Sequence, residues 1–258
     1  MNKYQTIKVV QSKPLARVIL NRPEVRNALN EQMIKELTAA FRSLGENTAI
    51  RVIIIEGAGN TFCAGLDLEY ILKSGQAEFT ENIRLATELS QMYRIIYENP
   101  KAVLAKVHGY VVAGGVGLVA VSDLAICEQN ARFSLSEVKV GLIPALIGPY
   151  CVNKIGHSHY CALGITGEWI DALQARQIGL VQEVVSTEAL EEKTINKVNL
   201  LLKAAPGAIT KFKAYCRNMN AQDSPKLIAA IQASDEGQEG SSAFLEKRLP
   251  RWVDQINE

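Results

Sequence analysis

Two glycine-rich turns are the first stretches of this 258-residue chain whose residue types and spacing could do chemistry. They span residues 61–68 (TFCAGLDL) and 109–118 (GYVVAGGVGL), and each joins a predicted strand to a predicted helix. Backbone N–H groups at the start of a helix lack partners within the helix and carry partial positive charge. Two such groups that converge on one point can stabilise an oxyanion or an enolate. Taken alone, either turn can also be explained as a tight turn closed by glycine.

A third stretch carries an acidic group between apolar neighbours. Glu137 follows the short predicted strand 132–135 and precedes Val138. A carboxylate in partly apolar surroundings holds its proton more tightly and suits general acid–base catalysis. The alternative, a surface glutamate, fits this stretch alone equally well.

Two other motifs do not carry a function. Residues 115–120 match the dinucleotide fingerprint GxGxxA, but the next predicted strand begins near Asp123. That spacing leaves no room for a crossover of about 30 residues, so we reject a dinucleotide site. His157, His159 and Cys161 lack a second ligand cluster, and no metal site is predicted.

The elements that must position these residues alternate between strand and helix. Strands are predicted at 5–11, 15–20, 51–55, 102–107, 123–127 and 132–135, and helices at 31–44, from about 66, and at 80–98. Asn30 is the predicted cap of the first helix. Helical periodicity dominates from residue 187 onwards. The order predicts an α/β core over 1–186, followed by a helical region over 187–258.

Composition excludes several classes of protein. The 28 Lys and Arg residues balance 27 Asp and Glu residues, giving a net charge of +1, which excludes a basic nucleic-acid-binding surface over the whole protein. No apolar run reaches the roughly 18 residues of a membrane span, and the first residues show no signal pattern. The five cysteines form no CxxC pair. We therefore expect a cytoplasmic protein with reduced thiols and neither a membrane nor a nucleic-acid partner.

In their order and spacing, the motifs together resemble the enoyl-CoA hydratase/isomerase (crotonase) superfamily. The matching stretches are 20–29, 62–68, 109–117, 134–144, 163–168, 178–181 and 236–248. The resemblance implies a spiral of β-β-α units followed by a helical C-terminal region that drives assembly into a homotrimer or a dimer of trimers. It also implies an acyl-CoA thioester substrate, with coenzyme A as part of that substrate and no separate bound cofactor or metal.

The resemblance also implies the residues of the site. Glu137 would be the catalytic acid–base group, and the backbone N–H groups of Ala64 and Gly114 would form the oxyanion hole. The residues implied for coenzyme A binding are Arg26, Ala28, Ala64, Gly65, Leu66 and Asp67, with Phe244 and Lys247 contributed by a neighbouring subunit.

One position departs from the family pattern. Hydratases with two catalytic carboxylates carry a glutamate where this chain has Gly117. Glu137 would then have to activate the water and protonate the α-carbon in turn, unless Glu69 or Tyr70 assists. Gly117 and the stretch 133–150 make the chain most similar to bacterial methylglutaconyl-CoA hydratases, which serve leucine and isovalerate breakdown.

That similarity implies syn addition of water to a branched, carboxylated enoyl-CoA. Removing a protein carboxylate near such a substrate would remove like-charge repulsion. Two alternatives remain open at this point. One is a dehydratase or isomerase of the same fold acting on an acyl group bound to a carrier protein. The other is a catalytically silent oligomer that binds acyl-CoA.

Overall fold

The computed structural model describes residues 4–219 and 222–254, which contain nine strands and ten α-helices. The strands are β1 (Ile7–Ser12), β2 (Leu15–Leu20), β3 (Val52–Gly57), β4 (Ala102–Val107), β5 (Tyr110–Val112), β6 (Leu124–Glu128), β7 (Arg132–Ser134), β8 (Ile170–Asp171) and β9 (Glu183–Val185). The helices are α1 (Glu31–Glu46), α2 (Leu68–Gln76), α3 (Phe79–Tyr97), α4 (Gly114–Val121), α5 (Gly148–Thr166), α6 (Ala172–Gln177), α7 (Leu190–Lys203), α8 (Pro206–Arg217), α9 (Ser224–Gln232) and α10 (Asp235–Leu245).

Two sheets organise the chain. The larger has the order β1-β2-β3-β4-β6-β9 and is parallel except for the antiparallel β1–β2 hairpin. The smaller has the order β5-β7-β8. β3 is apolar over 52–55 and buried throughout that run because helices cover both faces of the large sheet, as expected for a parallel sheet. A largely parallel sheet between helices, followed by further helices, agrees with the α/β core that the sequence predicts.

The predicted elements at the start of the chain are confirmed. The hairpin pairs Ile7 with Leu20 and Ser12 with Leu15. The side chain of Asn30 caps α1 by accepting a hydrogen bond from the Met33 N–H group at 2.9 Å. This bond satisfies one of the N–H groups that the first turn of a helix leaves unpaired.

The sequence did not reveal several short elements, because they are too short for a periodic pattern. β5 lies within the second glycine-rich turn, and β9 completes the far edge of the large sheet. Helix α5 is kinked at Gly156, so His157 lies at the start of its second half.

The predicted helical region contains helices α7 to α10 within its described residues. The first of them, α7, packs on the large sheet, where Val198 and Leu202 are buried in a cluster with Ile54 and Leu104. The division at residue 186 stays a prediction. Among the described residues, no helix has the length and apolarity needed to cross a membrane.

Candidate active site

The two glycine-rich turns meet beside the N-terminus of α4. The first turn pairs with β5, and the Val112 N–H group donates to the Cys63 carbonyl oxygen at 2.9 Å. Gly65 has a φ of 90°, in the region that favours glycine. A Cβ atom added to Gly65 would lie only 3.5 Å from the Gly114 nitrogen. The predicted convergence of the turns is therefore present.

Backbone hydrogen bonds decide which N–H groups of the turns can bind a ligand. The Ala64 N–H group donates to the Arg26 carbonyl oxygen at 3.0 Å, and the Gly65 N–H group bonds to the Cys63 side chain. Within 4–219 and 222–254, the N–H groups of Leu66 and Gly114 have no hydrogen-bond partner. The structure therefore corrects the prediction for Ala64, because its N–H group is already engaged. Leu66 takes its place beside Gly114.

A cavity opens in front of these groups. It is lined by Ala64, Leu66, Leu68, Ile71, Leu89, Tyr93, Ala113, Gly114, Ser136, Glu137, Val140, Leu142, Ile143, Pro144, Ala145, Leu146 and Ile147. The lining is mainly apolar, and in the described part of the chain it includes no Lys, Arg or His. Leu66, Gly114 and Glu137 thus face one apolar space. That is the usual setting for a small-molecule site.

Glu137 supplies the ionisable group of the cavity. It begins a 3₁₀ turn, Glu137–Val140, directly after β7, and its carboxylate accepts a hydrogen bond from its own backbone N–H group. Its Oε2 atom is buried and has no hydrogen-bond partner among the described residues. Burial raises the pKa of this carboxyl above its ordinary value of 4.5. Glu137 is therefore well suited to take up and return a proton.

The space beside Gly117 is filled. A Cβ atom added there would lie 2.3 Å from Ile147 Cγ2 and 2.9 Å from Tyr93 Cε1. A glutamate side chain at position 117 therefore has no room unless Ile147 and Tyr93 move. Sequence analysis missed Tyr93 and Ile147, because an aromatic residue in a helix and an aliphatic one in a loop carry no local signal of function.

The two residues considered as substitutes for the second acid lie elsewhere. Glu69 is exposed, and the Tyr70 hydroxyl donates to the Leu85 carbonyl oxygen at 3.1 Å. Neither residue lines the cavity as described. The structure thus gives no support to either of them as the missing catalytic group.

Arg22, which sequence analysis did not single out, ties the first turn to the segment before α1. Its Nη1 atom donates to Asp67 Oδ2 at 2.8 Å and to the Ala28 carbonyl oxygen at 2.7 Å. Asp67 also caps α2 by accepting from the Glu69 N–H group at 3.0 Å. Asp67 therefore shapes this edge of the site, and its role in coenzyme A binding stays a prediction.

The other predicted coenzyme A contacts divide into two groups. Arg26 and Ala28 adjoin the first turn through the bonds just described, and the Arg26 side chain is exposed. Phe244 and Lys247 lie at the end of α10 and do not line the cavity, and Phe244 is 83% exposed. Their predicted contact from a neighbouring subunit stays a prediction.

Comparisons with known proteins agree with this geometry. The enoyl-CoA hydratase/isomerase family model matches residues 11–255. The chain is 30% identical over 239 residues to 2,3-dehydroadipyl-CoA hydratase of Escherichia coli, covering 90% of this chain and 92% of that protein.

Solved structures of enoyl-CoA hydratase relatives are equally similar over nearly their whole length. An enoyl-CoA hydratase from Shewanella pealeana superposes with a TM-score of 0.92 at 29% identity, covering 97% of both chains. An enoyl-CoA hydratase/isomerase from Marinobacter aquaeolei gives 0.90 at 32% identity, covering 96% of this chain and 99% of that one. With the family match spanning nearly the whole chain and the cavity lined by the half-buried Glu137 together with Leu66 and Gly114, the protein is an enzyme of the enoyl-CoA hydratase/isomerase family.

Proposed function

We propose that this enzyme adds water reversibly across the α,β double bond of an enoyl-CoA thioester. The observation that carries the proposal is the position of Glu137. Glu137 lines the same cavity as Leu66 and Gly114, and its Oε2 atom is buried. Among the described residues, neither this oxygen nor the N–H groups of Leu66 and Gly114 have a hydrogen-bond partner. A base and a pair of donors around one apolar space match what hydration requires.

The proposed reaction uses one carboxylate twice. The thioester oxygen accepts hydrogen bonds from the N–H groups of Leu66 and Gly114. Glu137 takes a proton from a water molecule while the oxygen of that water bonds to the β-carbon. The electrons of the double bond move towards the thioester oxygen, giving an enolate that the two N–H groups stabilise. Glu137 then returns the proton to the α-carbon, so the net change is the addition of one water. Because one group serves both steps, both additions occur on one face, which makes the addition syn.

The cavity favours an uncharged acyl group. Leu89 and Leu146 line it together with Ile71 and Ile147, and its described lining offers no cationic side chain. Burying a substrate carboxylate there without a partner would be costly. We therefore propose a branched or linear uncharged enoyl-CoA as the substrate.

A carboxylated substrate is the second candidate. The resemblance described in the sequence analysis implies a methylglutaconyl thioester, and the Escherichia coli relative is named for a dehydroadipyl group, which carries a free carboxylate. This candidate requires a cation from outside the described lining. A physiological role in leucine breakdown would require this carboxylated substrate.

The loss of the enoyl thioester absorbance tests the proposal directly. We would compare crotonyl-CoA, 3-methylcrotonyl-CoA and 3-methylglutaconyl-CoA, using the wild-type enzyme, Glu137→Gln and the exposed control Glu69→Gln. We expect turnover of an uncharged substrate that is lost in Glu137→Gln and kept in Glu69→Gln. Turnover of only the methylglutaconyl thioester would favour the carboxylated candidate.

The same assay separates the other functions. Tight binding of all three thioesters without turnover would indicate a silent acyl-CoA-binding protein. Turnover only of thioesters presented on an acyl carrier protein would indicate a dehydratase or isomerase acting on such a carrier. We further propose that the chain assembles into trimers, in which Phe244 and Lys247 contact the neighbouring subunit's substrate. The proposed location is the cytoplasm.

A further inference from the structure

Tyr93 is a polar residue of the cavity to which the proposed reaction gives no role. It lies on α3, its side chain is fully buried, and its ring faces the cavity. Its hydroxyl donates to the Gly114 carbonyl oxygen at 2.8 Å. A tyrosine hydroxyl thus holds the residue whose N–H group is one of the two oxyanion donors.

The residue before Gly114 has a strained backbone. Ala113, directly before Gly114, has φ 49° and ψ −116°, which a residue with a side chain rarely adopts. Such a conformation costs on the order of 1–3 kcal/mol and persists only where its surroundings enforce it. The Ala113 N–H group donates to the Ser134 carbonyl oxygen at 2.8 Å. The strained residue is therefore fixed on one side by β7 and on the other by Tyr93.

The approach of Tyr93 depends on two of the three glycines of α4, Gly114 and Gly117. A Cβ atom added to Gly114 would lie 2.8 Å from the Tyr93 hydroxyl oxygen, and one added to Gly117 would lie 2.9 Å from Tyr93 Cε1. Both glycines are needed for the ring to reach the Gly114 carbonyl. The packing that allows this hydrogen bond thus also leaves no space for an acid at position 117.

We propose that Tyr93 is a positioning residue for the oxyanion hole: its hydroxyl locks the strained Ala113–Gly114 segment so that the Gly114 N–H group points at the thioester oxygen. This inference rests on the proposed function, because it assigns a role within that reaction. Tyr93 itself is not the acid. Its proton is committed to Gly114, and burial together with the nearby Glu137 carboxylate raises its pKa well above 10.

The decisive variant is Tyr93→Phe, which removes one oxygen atom and keeps the ring. We expect kcat to fall roughly 10- to 100-fold, because a small misplacement of one oxyanion donor weakens transition-state stabilisation. The KM for crotonyl-CoA should change little, because the ring still fills the cavity. Tyr70→Phe is the matched control, since Tyr70 is also buried and also donates to a backbone carbonyl oxygen. Its kcat should stay at the wild-type value.

A spectroscopic measurement separates positioning from a general loss of structure. An amino-substituted cinnamoyl-CoA absorbs at longer wavelength when its thioester carbonyl accepts hydrogen bonds. At saturation, we expect a red shift with wild type, Glu137→Gln and Tyr70→Phe, and a clearly smaller shift with Tyr93→Phe. A full shift with Tyr93→Phe, or a variant that loses its fold, would assign the hydroxyl a structural role and overturn the proposal. A wild-type enzyme that binds the probe without any shift would instead overturn the proposed function, and this inference with it.

Discussion

At the scale of single residues, the site combines a favourable catalytic property with an unfavourable structural one. Glu137 can exchange a proton because its carboxylate is partly removed from water, and the same burial disfavours its charged form. Functional sites commonly carry such costs in stability. A rise in pH should therefore increase the activity that depends on Glu137 and decrease the stability of the fold that contains it.

The activity signature is a pH dependence. Glu137 must be ionised to take a proton from water, so kcat/KM for hydration should fall as the pH is lowered through its pKa. Because burial raises that pKa above 4.5, the midpoint of the acid limb should lie above the ordinary value for glutamate. Initial rates with crotonyl-CoA, measured across the acid range, provide the check. A midpoint at or below 4.5 would contradict the assignment.

The stability signature has the opposite direction. With a pKa raised by folding, the folded protein binds the Glu137 proton more tightly than the unfolded chain does. Stability is therefore lost as the pH rises from the unfolded pKa through the folded one. Glu137→Gln should raise the melting temperature near pH 8 and change it little near pH 4. Glu69→Gln, at an exposed position, should change it at neither pH, and an equal gain for Glu137→Gln at both would argue against a buried charge.

The tight packing around Gly117 can be tested by substitution. Gly117→Ala places a Cβ atom 2.3 Å from Ile147 Cγ2 and should destabilise the protein by about 1–3 kcal/mol through overpacking. Gly75→Ala is the matched control, because Gly75 also lies in a helix, α2, and a Cβ atom there meets nothing within 4 Å. That change should be neutral or stabilise by up to about 1 kcal/mol.

Denaturant unfolding of single and double variants measures the coupling between Gly117 and Ile147. Ile147→Ala removes the clashing methyl group, so the double variant Gly117→Ala/Ile147→Ala should lose less free energy of unfolding than the sum of the two single changes. Strict additivity would show that Ile147 does not limit the space at position 117.

At the scale of elements, sequence patterns identify those that are long and regular. The bounds of α1 and of the β1–β2 hairpin could be predicted closely because each has a clear period and a clear end signal, such as Asn30. Glu137 and the two turns could be found because their residue types are unusual together. Ala64 could not be told from Leu66, because the partner that occupies its N–H group, Arg26, is 38 residues away. Which donor is free depends on a tertiary contact.

Substitutions at Asn27 and Asn30 test whether the segment before α1 supports the first turn of the site. The buried Asn27 side chain donates to the carbonyl oxygens of Ala58 and Thr61 at 2.8 and 2.7 Å and so joins the segment before α1 to the first turn of the site. Asn27→Asp replaces this amide by an acceptor, leaving both carbonyl oxygens unpaired, and should cost about 1–3 kcal/mol of unfolding free energy. Asn30→Asp keeps the helix cap and should be close to neutral. Equal losses of unfolding free energy for Asn27→Asp and Asn30→Asp, measured in urea, would contradict this expectation.

At the scale of the whole molecule, the C-terminal helices present a surface that a single chain does not cover. Phe244, Leu245 and Leu249 are 83%, 80% and 74% exposed and lie close together in sequence. Large apolar side chains grouped on a surface commonly mark contacts between proteins. We propose that this surface joins copies of this chain into a trimer, which would also bring Lys247 to a neighbouring cavity.

Assembly and substrate binding can be separated by two changes on the same segment. Leu245→Glu should lower the molar mass measured by light scattering from a trimer or its multiple towards a monomer, because it buries a charge in an apolar contact. Its melting temperature should then fall and depend less on concentration, since assembly contributes to stability. Lys247→Gln should instead keep the wild-type mass and raise the KM for the thioester, because it removes only a positive charge offered to coenzyme A. If Leu245→Glu kept the wild-type mass, Leu245 would lie outside the contact between copies. If the mass fell to that of a monomer and the activity stayed, the cavity would be complete within one chain.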